Sequence, residues 1–188
     1  MPADLYPFHR YAVILALAQE SSKPLGRTAL MKLLYFLQQI KGVPLGYDFS
    51  LYSYGPFDSS VLGDLGMTEQ LGAVEEQTVI FPGGYGYEIR RGKAPAYVRE
   101  KGWRFVEEHS TAIKSVLGEY GHYGGGQLEL LSTMVFVDQE AGKQGRQLSV
   151  EHLIRQTLTI KPKFTEPHAR KLAAELIGKD ALRATQSD

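Results

Sequence analysis

Between Thr28 and Ile40 the chain sets Leu30, Leu33, Leu34, Leu37 and Ile40 on a single helical face. A period near 3.6 with so complete a leucine stripe marks a helix that is stable only when other elements cover it. The fold is therefore expected to be built around this segment, with Thr28 as its N-cap and Gly42 as its stop. An earlier helix is expected from about His9 to Gln19, where Tyr11, Ile14, Leu15 and Ala18 keep the same spacing. Pro24 and Gly26 separate the two.

The period changes to two from Tyr47 to Tyr54, an extended stretch ended by Gly55-Pro56. Pro56 is expected to open a short helix holding Val61, Leu62 and Leu65. Ala73 to Phe81 and Tyr85 to Arg90 read as two strands around Pro82-Gly83-Gly84. A longer helix is expected next, burying Trp103, Val106, Ile113, Val116, Leu117 and Tyr120. After a Gly-rich joint at 121–126 come three shorter helices around Leu128–Val137, Ser149–Thr157 and Thr165–Ile177. Ser149 and Thr165 are their N-caps, and Gly178 is a C-terminal stop. The tail from Ala181 is expected to fray. The 188 residues suffice for one domain, with a core over 1–120 and a helical segment over 127–178. The fold class is mainly α with a small β-hairpin (α+β), a winged-helix-like core plus C-terminal helices.

Composition narrows the function classes. Apolar residues make up 43% and charged residues 22%, and 21 basic residues balance 21 acidic ones, so wholesale disorder is excluded. There is no apolar run of about 18 residues and no signal-peptide pattern, so a cytoplasmic protein is expected. The absence of cysteine removes disulfides, thiolate zinc sites and cysteine nucleophiles. His9, His109, His122, His152 and His168 show no metal-ligand spacing, so no metal is expected. G-x-S-x-G is missing, and Tyr123-Gly124-Gly125-Gly126 lacks the residues of a phosphate loop, so a hinge is the reading. Adjacent acids at Glu75-Glu76 and Glu107-Glu108 read as surface. Neither an enzyme nor a cofactor is expected.

Charge is unevenly distributed. From Gly42 to Glu88 there is no Lys or Arg against Asp48, Asp58, Asp64, Glu69, Glu75, Glu76 and Glu88, a local charge of −7. Asp58 and Asp64 fall where a winged helix would carry its recognition helix, and acids there repel phosphates. Arg90, Arg91, Lys93, Arg99, Lys101 and Arg104 against Glu100 then give +5. This segment is either a solvated face paired with the acidic stretch or the phosphate-contacting wing of a DNA-binding regulator dimerised through its C-terminal helices. Eleven tyrosines include Tyr47, Tyr52, Tyr54, Tyr85 and Tyr87 in the β-rich middle. They either pack the strands or form an interface, where tyrosine is enriched. Tyr52, Tyr54, Asp58 and Asp64 are the candidate partner-binding residues.

Two blocks resemble the Panacea domain of bacterial and phage proteins, which includes SocA-like antitoxins, GepA-type phage-associated proteins and YwgA-like proteins. Leu30-Met31-Lys32-Leu33-Leu34-Tyr35-Phe36-Leu37-Gln38 is similar to that family's K-L-L-Y-F-x-Q helix, and Tyr54-Gly55-Pro56 to its Y-G-P turn. Leu131-Ser132-Thr133 is similar to the start of its late helix. Phe57 stands where the family has an aliphatic residue, and 73–91 holds a fuller hairpin, which places the resemblance nearer the YwgA-like branch. The resemblance implies a mostly helical, non-enzymatic domain that binds a protein partner, either neutralising a toxin or presenting one to a protease. It implies no catalytic residues, and Lys32, Tyr35, Gly55 and Pro56 read as structural.

Overall fold

Apolar stripes interrupted by Gly and Pro become eight helices and two antiparallel hairpins among the described residues, 7–82 and 84–185, of the computed structural model. The order is α1 (Phe8–Glu20), α2 (Arg27–Gln39), β1 (Ser50–Tyr52), β2 (Gly55–Phe57), α3 (Ser59–Gln70), β3 (Val74–Phe81), β4 (Gly84–Arg91), α4 (Ala96–Glu108), α5 (Ser110–Tyr120), α6 (Gly125–Lys143), α7 (Val150–Ile160) and α8 (Glu166–Gly178). The fold is mainly helical, of α+β type. Contacts divide it into two units: residues up to Phe49 with Asp58–Gly125, and Ser50–Phe57 with the residues from Gly126 on.

In the first unit α1 packs on α3, α4 and α5, while α2 packs on α5. Leu30, Leu33, Leu34 and Leu37 are fully buried, so the leucine stripe occupies the core as its spacing required. At the α1–α4 contact a methyl on Gly102 would collide with the Phe8 carbonyl, so only glycine allows that approach. β3 and β4 pair from Val74↔Arg91 to Phe81↔Gly84. Leu25 adds a bridge on the far side of β4, exchanging both backbone bonds with Ile89.

In the second unit β1 and β2 pair Leu51 with Pro56, and α7 packs on α8. Val137, Ala141, Leu148 and Leu153 form a cluster covered by Leu182 and Ala184.

Several expectations need correction. Thr28 lies inside the first turn of α2, and Gly26 is the N-cap, in extended conformation. Pro56 does not open a helix. Gly55 reverses the chain at φ +88, Pro56 enters β2, and the Asp58 carboxylate caps α3 by accepting from the Ser60 N–H at 2.8 Å. The long helix through Trp103 is two helices, broken at His109 (φ −111, ψ 14) without a Gly or Pro to announce it. Trp103 and Leu117 are only half-buried. Ser149 caps α7 as expected, through the His152 N–H, whereas Thr165 stands at the N-cap of α8 without a side-chain bond. Gly178 ends α8, but the left-handed residue beyond it is Asp180.

The tail is docked rather than frayed as far as Thr185, which accepts from the Val150 N–H at 3.0 Å and donates to the Leu148 carbonyl at 3.1 Å. Residues 186–188 lie outside the described set.

Candidate interaction site

In the second unit the β1–β2 turn carries Tyr52 and Tyr54, each 66% exposed. A two-stranded hairpin of three-residue strands has little stability of its own, so its geometry is set by what lies behind it. Gly55 sits so close to α6 that a Cβ there would stand 3.1 Å from Ser132 Oγ and Thr133 Oγ1 and 3.3 Å from the Glu129 carbonyl oxygen. Both hydroxyls are buried and donate to that carbonyl, at 3.1 and 2.7 Å. The Tyr54-Gly55-Pro56 turn and the Leu131-Ser132-Thr133 segment, which carry part of the family resemblance, therefore meet here.

The second fastening is ionic. Lys161, at the C-cap of α7, is 4% exposed and donates from Nζ to the Ser53 carbonyl and, at 3.4 Å, to the Tyr52 carbonyl. Its ammonium also stands 3.0 Å from Oε1 of Glu129, itself 2% exposed. That contact is an ion pair without hydrogen-bond alignment, because the ammonium protons serve the turn carbonyls. Lys163 donates to the other carboxylate oxygen at 2.8 Å. A buried charge is tolerated only when paired and hydrogen-bonded, and here the pairing ties a loop to two helices.

Lys163 Nζ lies 5.5 Å from the Tyr54 ring centroid and 5.1 Å from that of Phe164, within cation–π range. The Tyr52 ring lies against Phe57, tilted by 33° with the centroids 5.7 Å apart. The site thus presents two aromatic rings with polar tips on a rigid mount.

Asp58 and Asp64 belong to the first unit and are used inside it. Besides capping α3, Asp58 accepts from the Asp48 N–H at 2.6 Å. Asp64 accepts from the Tyr47 hydroxyl at 2.9 Å and lies 3.5 Å from the Arg10 guanidinium. Arg10 in turn donates to the Leu45 and Gly46 carbonyls and stacks at 4.3 Å on Tyr47. Burial raises the Asp64 carboxyl above its usual range, against the opposing pull of Tyr47 and Arg10, and burial likewise raises the Tyr47 hydroxyl. Lys32 and Tyr35 are buried in α2, with Tyr35 edge-on to Phe49 at 5.1 Å.

Much of the acidic stretch is neutralised locally. Glu76 accepts from both Nε and Nη2 of Arg27, Glu75 lies 3.8 Å from Lys93, and Glu88 pairs with Arg90 at 2.7 Å. In the basic segment Lys101 pairs with Glu100 and Arg104 with Glu108, while Arg99 stacks at 4.1 Å on Trp103. Arg91 is exposed.

Sequence reasoning named the two tyrosines but missed Glu129, Lys161 and Lys163, which fasten the turn. Glu129 precedes Lys161 by a whole helix and a half, and no local pattern joins them. Among the described residues no group of three or more His, Asp or Glu is placed to hold a metal ion. None of the described helices is long and apolar enough to cross a membrane. No model of a known protein family matches the chain, and no curated protein matches it either.

Proposed function

We propose that this chain is a non-enzymatic, cytoplasmic regulatory protein of antitoxin or adaptor type, which binds a protein partner through the Tyr52–Tyr54 turn. The observation that carries this reading is the pairing of two largely exposed tyrosines with a mount immobilised by the buried Lys161–Glu129 pair. Aromatic anchors dominate binding energy where they occur, and rigidity before binding lowers the entropy lost on association. The resemblance to the Panacea domain supports a toxin or a protease-associated protein as the partner. The order α1, α2, α3, β3, β4 supports a winged-helix description of the first unit. Asp58 and Asp64 drop out as anchors because their oxygens cap a helix and hold Arg10 and Tyr47.

The test is capture by the tagged full chain from its native host at moderate salt, beside the Tyr52→Ser/Tyr54→Ser variant. A stoichiometric protein retained by the wild type and lost by the variant, with unchanged melting, is the expected result. Equal capture by both refutes the turn as the site. A second reading, DNA binding through Arg90, Arg91, Lys93, Arg99 and Lys101, rests on their clustered positive charge. It requires duplex binding that weakens steeply with salt, and three of those five cations already lie beside carboxylates.

A further inference from the structure

The outer edge of β3 is blocked at one end and open at the other. The Glu76 N–H points away from β4 and is taken by Glu69 Oε1 at 2.9 Å. Its partner residue Ile89 also turns both backbone groups outward, to Leu25. Backbone direction alternates along a strand, so Thr78 and Ile80 likewise direct N–H and C=O out of the sheet. Among the described residues nothing accepts or donates there.

Natural edges are usually guarded by charge, proline or a covering element. Here Gln77 to Tyr87 contains no charged residue. Large apolar side chains crowd this end of the hairpin, with Ile80 89%, Tyr85 67% and Phe81 51% exposed. The opposite edge, along β4, is less suited to pairing. Leu25 bridges it at Ile89, Arg27 stacks at 3.6 Å on Tyr87, and Gly84 and Gly86 offer no side chains to pack.

We propose that this edge pairs with a second copy of the chain, β3 antiparallel to β3, about a two-fold axis at Val79. In that register Thr78 faces the partner's Ile80 and Ile80 faces the partner's Thr78. These are hydrogen-bonded pairs, each exchanging both bonds, so every open group at 78 and 80 is used. Val79 meets itself, Gln77 meets the partner's Phe81, and no charge faces another charge. Glu75 and Glu76 remain outside the paired segment, so the Glu69 cap is kept. A shift centred on Thr78 would instead place Ile80 against Glu76, whose N–H is already occupied. The two hairpins become one four-stranded sheet. An isologous contact of this kind closes on itself and does not propagate.

Sedimentation velocity on the full chain from about 1 µM to about 200 µM, a range that brackets micromolar affinity, is the test. A concentration-dependent shift to twice the chain mass is expected. Ile80→Lys alters a side chain that is almost wholly solvated, so it should abolish the shift without changing the helical spectrum. Val79→Lys and Val79→Glu should each be monomeric, because like charges then meet on the axis, while their equimolar mixture should regain the dimer. A wild type that stays monomeric throughout overturns the proposal, as does a dimer indifferent to Ile80→Lys. Failure of the folded Val79 pair to complement overturns the register.

Discussion

Gly55→Ala isolates the fastening of the aromatic turn. At φ +88 any residue with a Cβ is strained, and the left-handed region costs an ordinary L-residue about 1–2 kcal/mol. The new methyl would also stand 3.1 Å from two buried hydroxyls and 3.3 Å from a carbonyl oxygen. All three belong to α6, whose backbone has little freedom to yield, and crowding of this kind costs about 1–2 kcal/mol more. The expected loss is therefore about 2–4 kcal/mol, read as a lower urea midpoint by far-UV circular dichroism.

A companion set separates the two causes. Adding Ser132→Ala and Thr133→Ala to Gly55→Ala should restore about 1 kcal/mol through relief of crowding, while the backbone share persists. A Gly55→Ala loss below about 0.5 kcal/mol, the range of an inert surface change, would refute both the strain and the close approach to α6.

Two further outcomes follow from the buried charges. Lys161→Met strips Glu129 of its buried partner and the Ser53 carbonyl of its donor, so it should cost about 3 kcal/mol. Calorimetry should find the Lys161→Met/Glu129→Gln double variant more stable than Lys161→Met alone, since the stranded charge is gone. In the first unit the raised Asp64 carboxyl makes the folded state hold its proton to higher pH than the unfolded chain. Stability gained from that proton is present at low pH and is lost as pH rises from the ordinary aspartate value of 3.8 through the raised folded value. The stability of Asp64→Asn relative to wild type should therefore rise over that interval in urea titrations at stepped pH, and a flat difference refutes the assignment.

The helical elements were legible because their apolar stripes were long. The leucines of α2 and the cap at Ser149 announce themselves within a few residues, and the hairpin strands lie between Gly and Pro breaks. What escaped was set by distant parts of the chain. Pro56 has the local signature of a helix start, yet Gly55, at φ +88 and tight against α6, turns it back onto Leu51. The break at His109 has no breaker residue. The tail looked loose, but Leu182 and Ala184 find an apolar cluster made by α6 and α7. Tyr52 and Tyr54 stand out in the sequence as candidates because they fall in an acidic, tyrosine-rich stretch. Asp58 and Asp64 looked like a charged face because a cap and an internal ion pair leave no different mark in sequence.

The eight residues of the aromatic turn have a consequence for biosynthesis. Lys161 bonds the Ser53 carbonyl across 108 positions, so a ribosome adding about 5–20 residues per second makes the turn roughly 5–20 s before its fastening exists. When that interval opens α2 is already complete, and α3 is finished well before α7 begins. The tyrosines consequently reach their final pose only when α7 has emerged, and chains arrested before that point carry the rings without the mount.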